Sequence, residues 1–190
     1  GDSSKHWYLS EPLTRPLGNP MLAELSPGFI EYLRGNSGLD ETQGSLWMSS
    51  EGAECGLHYD TDHNFFLQLS GSKTFVIAEP AALPLFHPFS SLHPRWRQTQ
   101  NYSLHSVPSV HTAAQEARAA GLWPFPIHVD DGPWEVTLQA GDMLYLPPYY
   151  YHSVRGGPTG SISANVWVPS AAQKVKQLIA KSTPMPFSSG

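Results

Sequence analysis

Residues 56–75, GLHYDTDHNFFLQLSGSKTF, set the reading of the whole chain. Short runs of aromatic and aliphatic residues are separated by Gly, Ser and Asp, which is the pattern of half-buried strands rather than of a helix. Side chains alternate along a strand, so His58 and Asp60 point to one face and Tyr59 to the other. The segment Ser70-Gly71-Ser72-Lys73 between NFFLQLSG and KTFVIAEP predicts a hairpin turn.

The same pattern extends outward. LWMSS (46–50) precedes the stretch; WEVTLQ, a Gly141-Asp142 turn, MLYLPP, YYYHSV, a glycine-rich turn and SISANVWVP follow it between residues 134 and 169. Residues 81–133 are poor in strand pattern, and HTAAQEARAAG within them predicts a helix ending at Gly121. AAQKVKQLIAK (171–181) predicts a closing amphipathic helix with Val175, Leu178 and Ile179 on one face. Upstream, residues 1–19 read as an extended arm, 20–34 as two short helical pieces broken at Pro27, and 35–44 as a turn-rich connection. The expectation is a single domain over 1–190. It has an N-terminal arm and helices (1–45), a β core (46–80 and 134–169), an insertion (81–133), and a C-terminal helix and tail (170–190).

Composition agrees with a mainly β globule. Charged residues are 14 % and hydrophobic residues 40 %, which excludes a polar disordered tail, while 18 prolines and 16 glycines suit many turns. A net charge of -5 with 11 Lys+Arg leaves no basic stripe for a phosphate backbone, so nucleic acid, including tRNA, ranks behind protein or peptide as a partner. The single cysteine, Cys55, rules out an internal disulfide framework and fits a reducing compartment. With no apolar run long enough to span a bilayer and no secretion signal in residues 1–25, the expected location is cytoplasmic or nuclear.

Imidazole and carboxylate converging from an HxD pair suit Fe(II), Mn(II) or Zn(II), and two histidines with one carboxylate are diagnostic of non-haem Fe(II) oxygenases. The third ligand must come from elsewhere. His152, in the second β block and just before the glycine-rich turn, is the candidate.

Together, GLHYDTDHNFFLQLSGSKTF, AGDMLYLPPYYYHSV and SISANVW resemble the jumonji C-type, cupin-fold 2-oxoglutarate oxygenases, and most closely the branch that includes the asparaginyl hydroxylase of hypoxia-inducible factor. The resemblance implies a double-stranded β-helix (jelly roll) with flanking helices, and Fe(II) held by His58, Asp60 and His152. It also implies 2-oxoglutarate as cosubstrate, with Lys73 pairing its distal carboxylate. Asn64 and Asn165 match asparagines that hydrogen-bond near the iron, and Tyr8, in WYLS, matches a tyrosine that reaches the same carboxylate. Trp167 shares the face of Asn165, and Arg97 and Gln98, in RQTQ, match a segment at the substrate entrance. Where that branch has a threonine that bonds the cosubstrate, this chain has Cys55, a weaker donor. The implied reaction is hydroxylation of a protein side chain, with tRNA-base hydroxylation, lysine demethylation and a non-catalytic cupin-like binding protein as alternatives. Relatives of this branch dimerise through helices after the β core. Only about twenty residues follow Trp167, so a monomer or a small-interface homodimer is expected.

Overall fold

A computed structural model describes residues 6–12, 43–80, 86–100, 112, 115–116, 119–121 and 133–182. The helical pieces expected over 20–34 lie outside these residues, as does most of the helix expected over 111–121.

Seven strands form one antiparallel sheet: β1 (Tyr8–Pro12), β2 (Gln43–Ser49), β3 (Glu54–Tyr59), β4 (His63–Ala78), β5 (Trp134–Gln139), β6 (Met143–Leu146) and β7 (Tyr151–Val168); helix α1 (Ala171–Ser182) follows. The arm expected at the N-terminus is a strand where it is described, because Tyr8 to Pro12 pair with Ser49 to Ser45 of β2. The spine is the pairing of the two longest strands, β4 with β7. Outside β4 lie β6, beside its first half, and β5, beside its second. Outside β7 lie β3, beside its first half, and β2, beside its second.

Two turns expected from the sequence are not turns. SGSK is no hairpin: β4 runs through it, with register shifts between Gln68 and Ser70 and between Gly71 and Lys73. The glycine-rich stretch 156–160 likewise lies inside β7. Glycine at φ +67 (Gly71) and +75 (Gly160) satisfies the backbone of a bulge as readily as that of a tight turn, so the same residues fit both readings.

These irregularities bend both long strands. Phe66 and Phe75 are nine residues apart, which at about 3.3 Å per residue would separate them by roughly 30 Å in a straight strand, yet their ring centroids are 5.0 Å apart. The two halves of β4 therefore face each other. Phe66, Phe75, Leu138 and Leu146 form the apolar core between them.

The bulges also reverse the alternation. Before the irregular stretch of β4 the buried positions are Asn64, Phe66 and Gln68; after it Lys73 and Phe75 pack against Phe66, while Val76 and Ala78, of the other parity, are buried as well. In β7, His152 lies inward on one side of the glycines, and Ser161, Ser163 and Asn165 on the other. An unbroken strand would have put residues of opposite parity on opposite faces. Two half-sheets closed over a common interior by bent, shared strands make a jelly-roll barrel of the double-stranded β-helix type.

Helix α1 does not bury the face expected of it. Val175 is 54 % and Leu178 66 % exposed. Instead Gln173 bonds the Thr61 hydroxyl next to Asp60, so a polar side of the helix meets the barrel.

Candidate metal centre

His58 and His152 stand opposite each other in the β3–β7 ladder, with ring centroids 4.3 Å apart. Asp60 lies just past the end of β3. Its Oδ2 is 4.0 Å from His152 Nε2, and one ligand atom from each of the three residues lies within 4.8 Å of the others. The convergence expected from alternation is therefore present, though the carboxylate comes from the residue after the strand rather than from within it. Tyr149 fixes that residue's backbone: its N–H donates to the Asp60 carbonyl at 2.7 Å while its own φ of 68° sits in a region a bulky side chain rarely adopts.

The histidines are oriented from behind. With Nδ1 donating, His58 bonds the Gly56 carbonyl at 2.8 Å and His152 the Tyr150 carbonyl at 3.1 Å, which leaves both Nε2 lone pairs free for a metal. Burial, joined by the charge of His58, pulls the His152 imidazole down to about 4, so it stays neutral. Burial also opposes a charge on His58, but the Cys55 contact, the charges of Cys55 and Asp60 and the Gly56 carbonyl outweigh it and lift this imidazole to about 9. A metal would displace the proton that His58 otherwise carries.

Asp60 is held by a line of donors. Trp47 Nε1–H donates to Asn165 Oδ1 (2.7 Å), Asn165 Nδ2 to Asn64 Oδ1 (3.3 Å), and Asn64 Nδ2 to Asp60 Oδ2 (3.5 Å). Trp167 Nε1–H reaches the same oxygen at 3.3 Å. Asn64, Asn165 and Trp167, singled out in the sequence, are thus brought onto one carboxylate.

Lys73 is 1 % exposed. Its ammonium donates to Ser163 Oγ at 2.8 Å and lies 5.1 Å from the Phe66 and 5.3 Å from the Tyr8 ring centroid. All these partners are uncharged, and burial pulls the amine down to about 8 despite the opposing influence of Cys55. An ammonium so placed has unmet capacity for an anion. Cys55 Sγ is 3.8 Å from His58 Nδ1. Burial pushes the thiol up, but the bond and charge of His58 prevail and leave it below its ordinary value.

Tyr8, Trp47, Cys55, Asn64, Phe66, Phe75, Asn165 and Trp167 line a cavity of about 430 Å³ together with the three metal-binding candidates. Arg97 and Gln98 line it too. Sequence reasoning missed Ser163 as the partner of Lys73 and Trp47 as the donor to Asn165. Strand alternation carried the first signal, since Ser163, Asn165 and Trp167 are spaced by two on β7.

The donor set fits a divalent metal: two oriented imidazole nitrogens, of which His58 would give up its proton on binding, and one braced carboxylate, with a cavity beside them. Barrel and site together define the class of cupin-like proteins with a two-histidine, one-carboxylate centre. The chain belongs to the family described as the cupin-like domain, whose model matches residues 22–173.

Among curated proteins it is 28 % identical over 129 residues to the Jumonji C domain-containing protein 5 of Drosophila melanogaster, covering 65 % of this chain and 28 % of that protein. It is 28 % identical over 123 residues to the lysine-specific demethylase JMJ31 of Arabidopsis thaliana, covering 65 % of this chain and 20 % of that one. It is 26 % identical over 129 residues to the human bifunctional peptidase and (3S)-lysyl hydroxylase JMJD7, covering 65 % and 40 %. The chain thus spans less than half the length of each of these relatives. Their names support jumonji C oxygenases at large; the narrower likeness to the asparaginyl hydroxylase branch rests on the motifs quoted above.

Proposed function

We propose that this chain is the catalytic domain of an Fe(II)- and 2-oxoglutarate-dependent dioxygenase that hydroxylates a side chain of a protein or peptide. One observation carries the reading: His58, Asp60 and His152 converge on a cavity, and against two of its lining residues, Tyr8 and Phe66, lies a buried lysine whose partners among the described residues are neutral. A metal centre alone would not call for that lysine, whereas a dicarboxylate cosubstrate does.

Fe(II) held by His58, Asp60 and His152 would supply a redox-active centre for dioxygen chemistry in which a 2-oxo acid and a C–H bond each give up two electrons. The protein supplies the rest. His58 and His152 present Nε2, and Asp60 presents a carboxylate braced by Trp167 and Asn64. Lys73, with the Ser163 and Tyr8 hydroxyls, takes the distal carboxylate of the cosubstrate. Phe66, Phe75 and Trp47 exclude water from the inner wall of the cavity. A polypeptide substrate is favoured by the relatives' names, which specify lysine side chains, and by the motif likeness to a protein hydroxylase.

The test is succinate formation from 2-oxoglutarate with Fe(II), followed by mass spectrometry of candidate peptides for a hydroxylated product. Wild-type turnover is expected, with loss of at least about a thousandfold in His58→Ala and Asp60→Ala while the circular dichroism spectrum is kept. Full cosubstrate consumption by either variant would refute the assignment. A product mass lower by a methyl group, or turnover of tRNA alone, would redirect it to demethylation or to nucleic acid.

A further inference from the structure

Asp60 holds its two carboxylate oxygens in different surroundings. Oδ2 faces inward, toward His152 Nε2, and receives Trp167 and Asn64. Oδ1 meets Arg97 Nη1 at 3.5 Å. Arg97 comes from the segment after β4, whereas the three candidate ligands come from β3, the residue just past its end, and β7.

That segment is nonetheless registered on β3 around His58. The Tyr59 N–H donates to the Arg97 carbonyl at 3.0 Å and the Thr99 N–H to the Leu57 carbonyl at 3.1 Å, while Gln98 forms an isolated bridge with His58. Trp96 sets the approach from the other side. Its ring packs edge-on against Tyr59 at 5.8 Å, and the Arg97 guanidinium lies 5.7 Å from its centroid. A half-exposed arginine on a free loop would wander; this one starts from backbone bonded at the residue between His58 and Asp60.

We propose that Arg97 is a positioning residue of the metal centre: it holds the outer oxygen of Asp60 so that the inner oxygen alone is presented between the two imidazoles. The proposal rests on the reading that His58, Asp60 and His152 bind a metal. A carboxylate free to turn would offer both oxygens and occupy a second coordination position, one that a chelating cosubstrate needs. The entrance segment thereby becomes part of the centre as well as its rim.

Electrostatics alone predicts the opposite effect on binding, which makes the sign decisive. A guanidinium at a ligand carboxylate repels a divalent cation, so its loss should tighten metal binding if charge governs. If orientation governs, its loss should weaken binding, and partners that orient a metal ligand typically matter by about 10- to 100-fold.

The experiment is Co(II) titration of the metal-free protein, followed by the visible ligand-field spectrum, for wild type, Arg97→Met and Arg97→Lys. Failure of the wild type to bind Co(II) would strike the metal-centre reading itself, which separates that failure from failure of this inference. Given wild-type binding, Arg97→Met is expected to bind about tenfold or more weakly with an altered spectrum. Arg97→Lys, which keeps the charge but loses the planar fork, is expected to recover part of both. Equal or tighter binding by Arg97→Met with the wild-type spectrum overturns the proposal. Should the Met variant lose its fold, the Lys variant decides by the same measure: weaker binding supports positioning, and unchanged binding overturns it.

Discussion

Lys73 is a residue whose burial costs the fold while it serves the proposed site. Its amine is pulled from 10.5 in the unfolded chain to about 8 in the barrel. Between those values the unfolded chain holds a proton that the folded protein has released, so stability from this group rises with pH from about 8 toward 10.5 and the full cost stands below about 8. Lys73→Met removes the titrating group. The variant is expected to gain stability relative to the parent near neutral pH, by up to about 3 kcal/mol, and to lose that advantage as pH approaches 10.5. Urea unfolding across that range, compared between the two proteins, measures it, and a difference flat with pH would show that the buried amine keeps its proton. The same variant should bind 2-oxoglutarate about ten- to a hundredfold more weakly, as loss of a charged hydrogen bond implies. The metal-binding candidates were legible because alternation puts His58 and Asp60 on one face. Ser163 was not read, because a lone serine in a strand carries no chemical mark until the lysine opposite is known.

At the scale of elements, strand positions were readable and strand connections were not. WEVTLQ matches β5 residue for residue, because its alternation is unbroken and a Gly-Asp turn closes it. The two longest strands were each divided in the reading, since a glycine at positive φ between apolar runs looks the same at a bulge and at a hairpin. Gly71 shows what the bulge demands. A Cβ there would sit 2.1 Å from the Gly160 carbonyl oxygen, against backbone that cannot yield locally. Gly71→Ala is therefore expected to destabilise the protein by about 3 kcal/mol or more, from combined φ strain and overlap. A denaturation midpoint within error of wild type would mean that β4 bends elsewhere. The closing helix was misread in orientation, because its apolar stripe was taken to mark the buried face. A polar contact, Gln173 to Thr61, fixes it instead.

Across the whole molecule, the metal-binding candidates and their supports are drawn from β1, β2, β3, β4, β7 and the connection between β3 and β4. A ligand that engages them together favours the closed barrel over the unfolded chain, so Mn(II) with 2-oxoglutarate should raise the melting temperature. At a ligand concentration 100 times the dissociation constant the gain is about 2.7 kcal/mol. Asp60→Ala should show little of this shift in a thermal scan; an equal shift would place the ligand elsewhere. The mainly β class followed from strand pattern and composition, and the jelly-roll expectation from the family resemblance. How the barrel closes did not, because bending depends on register irregularities that the sequence carries only as glycines.

Parity reversal within β4 also makes the site sensitive to the length of the segment between Gln68 and Lys73. Removing one residue between Gln68 and Lys73 would change no side chain that lines the cavity. It would restore plain alternation, turn the Lys73 amine toward solvent, and leave a barrel wall with no cation inside. Across related chains, this segment should therefore keep its length and its glycine at Gly71, and take exchanges of residue type at its other positions.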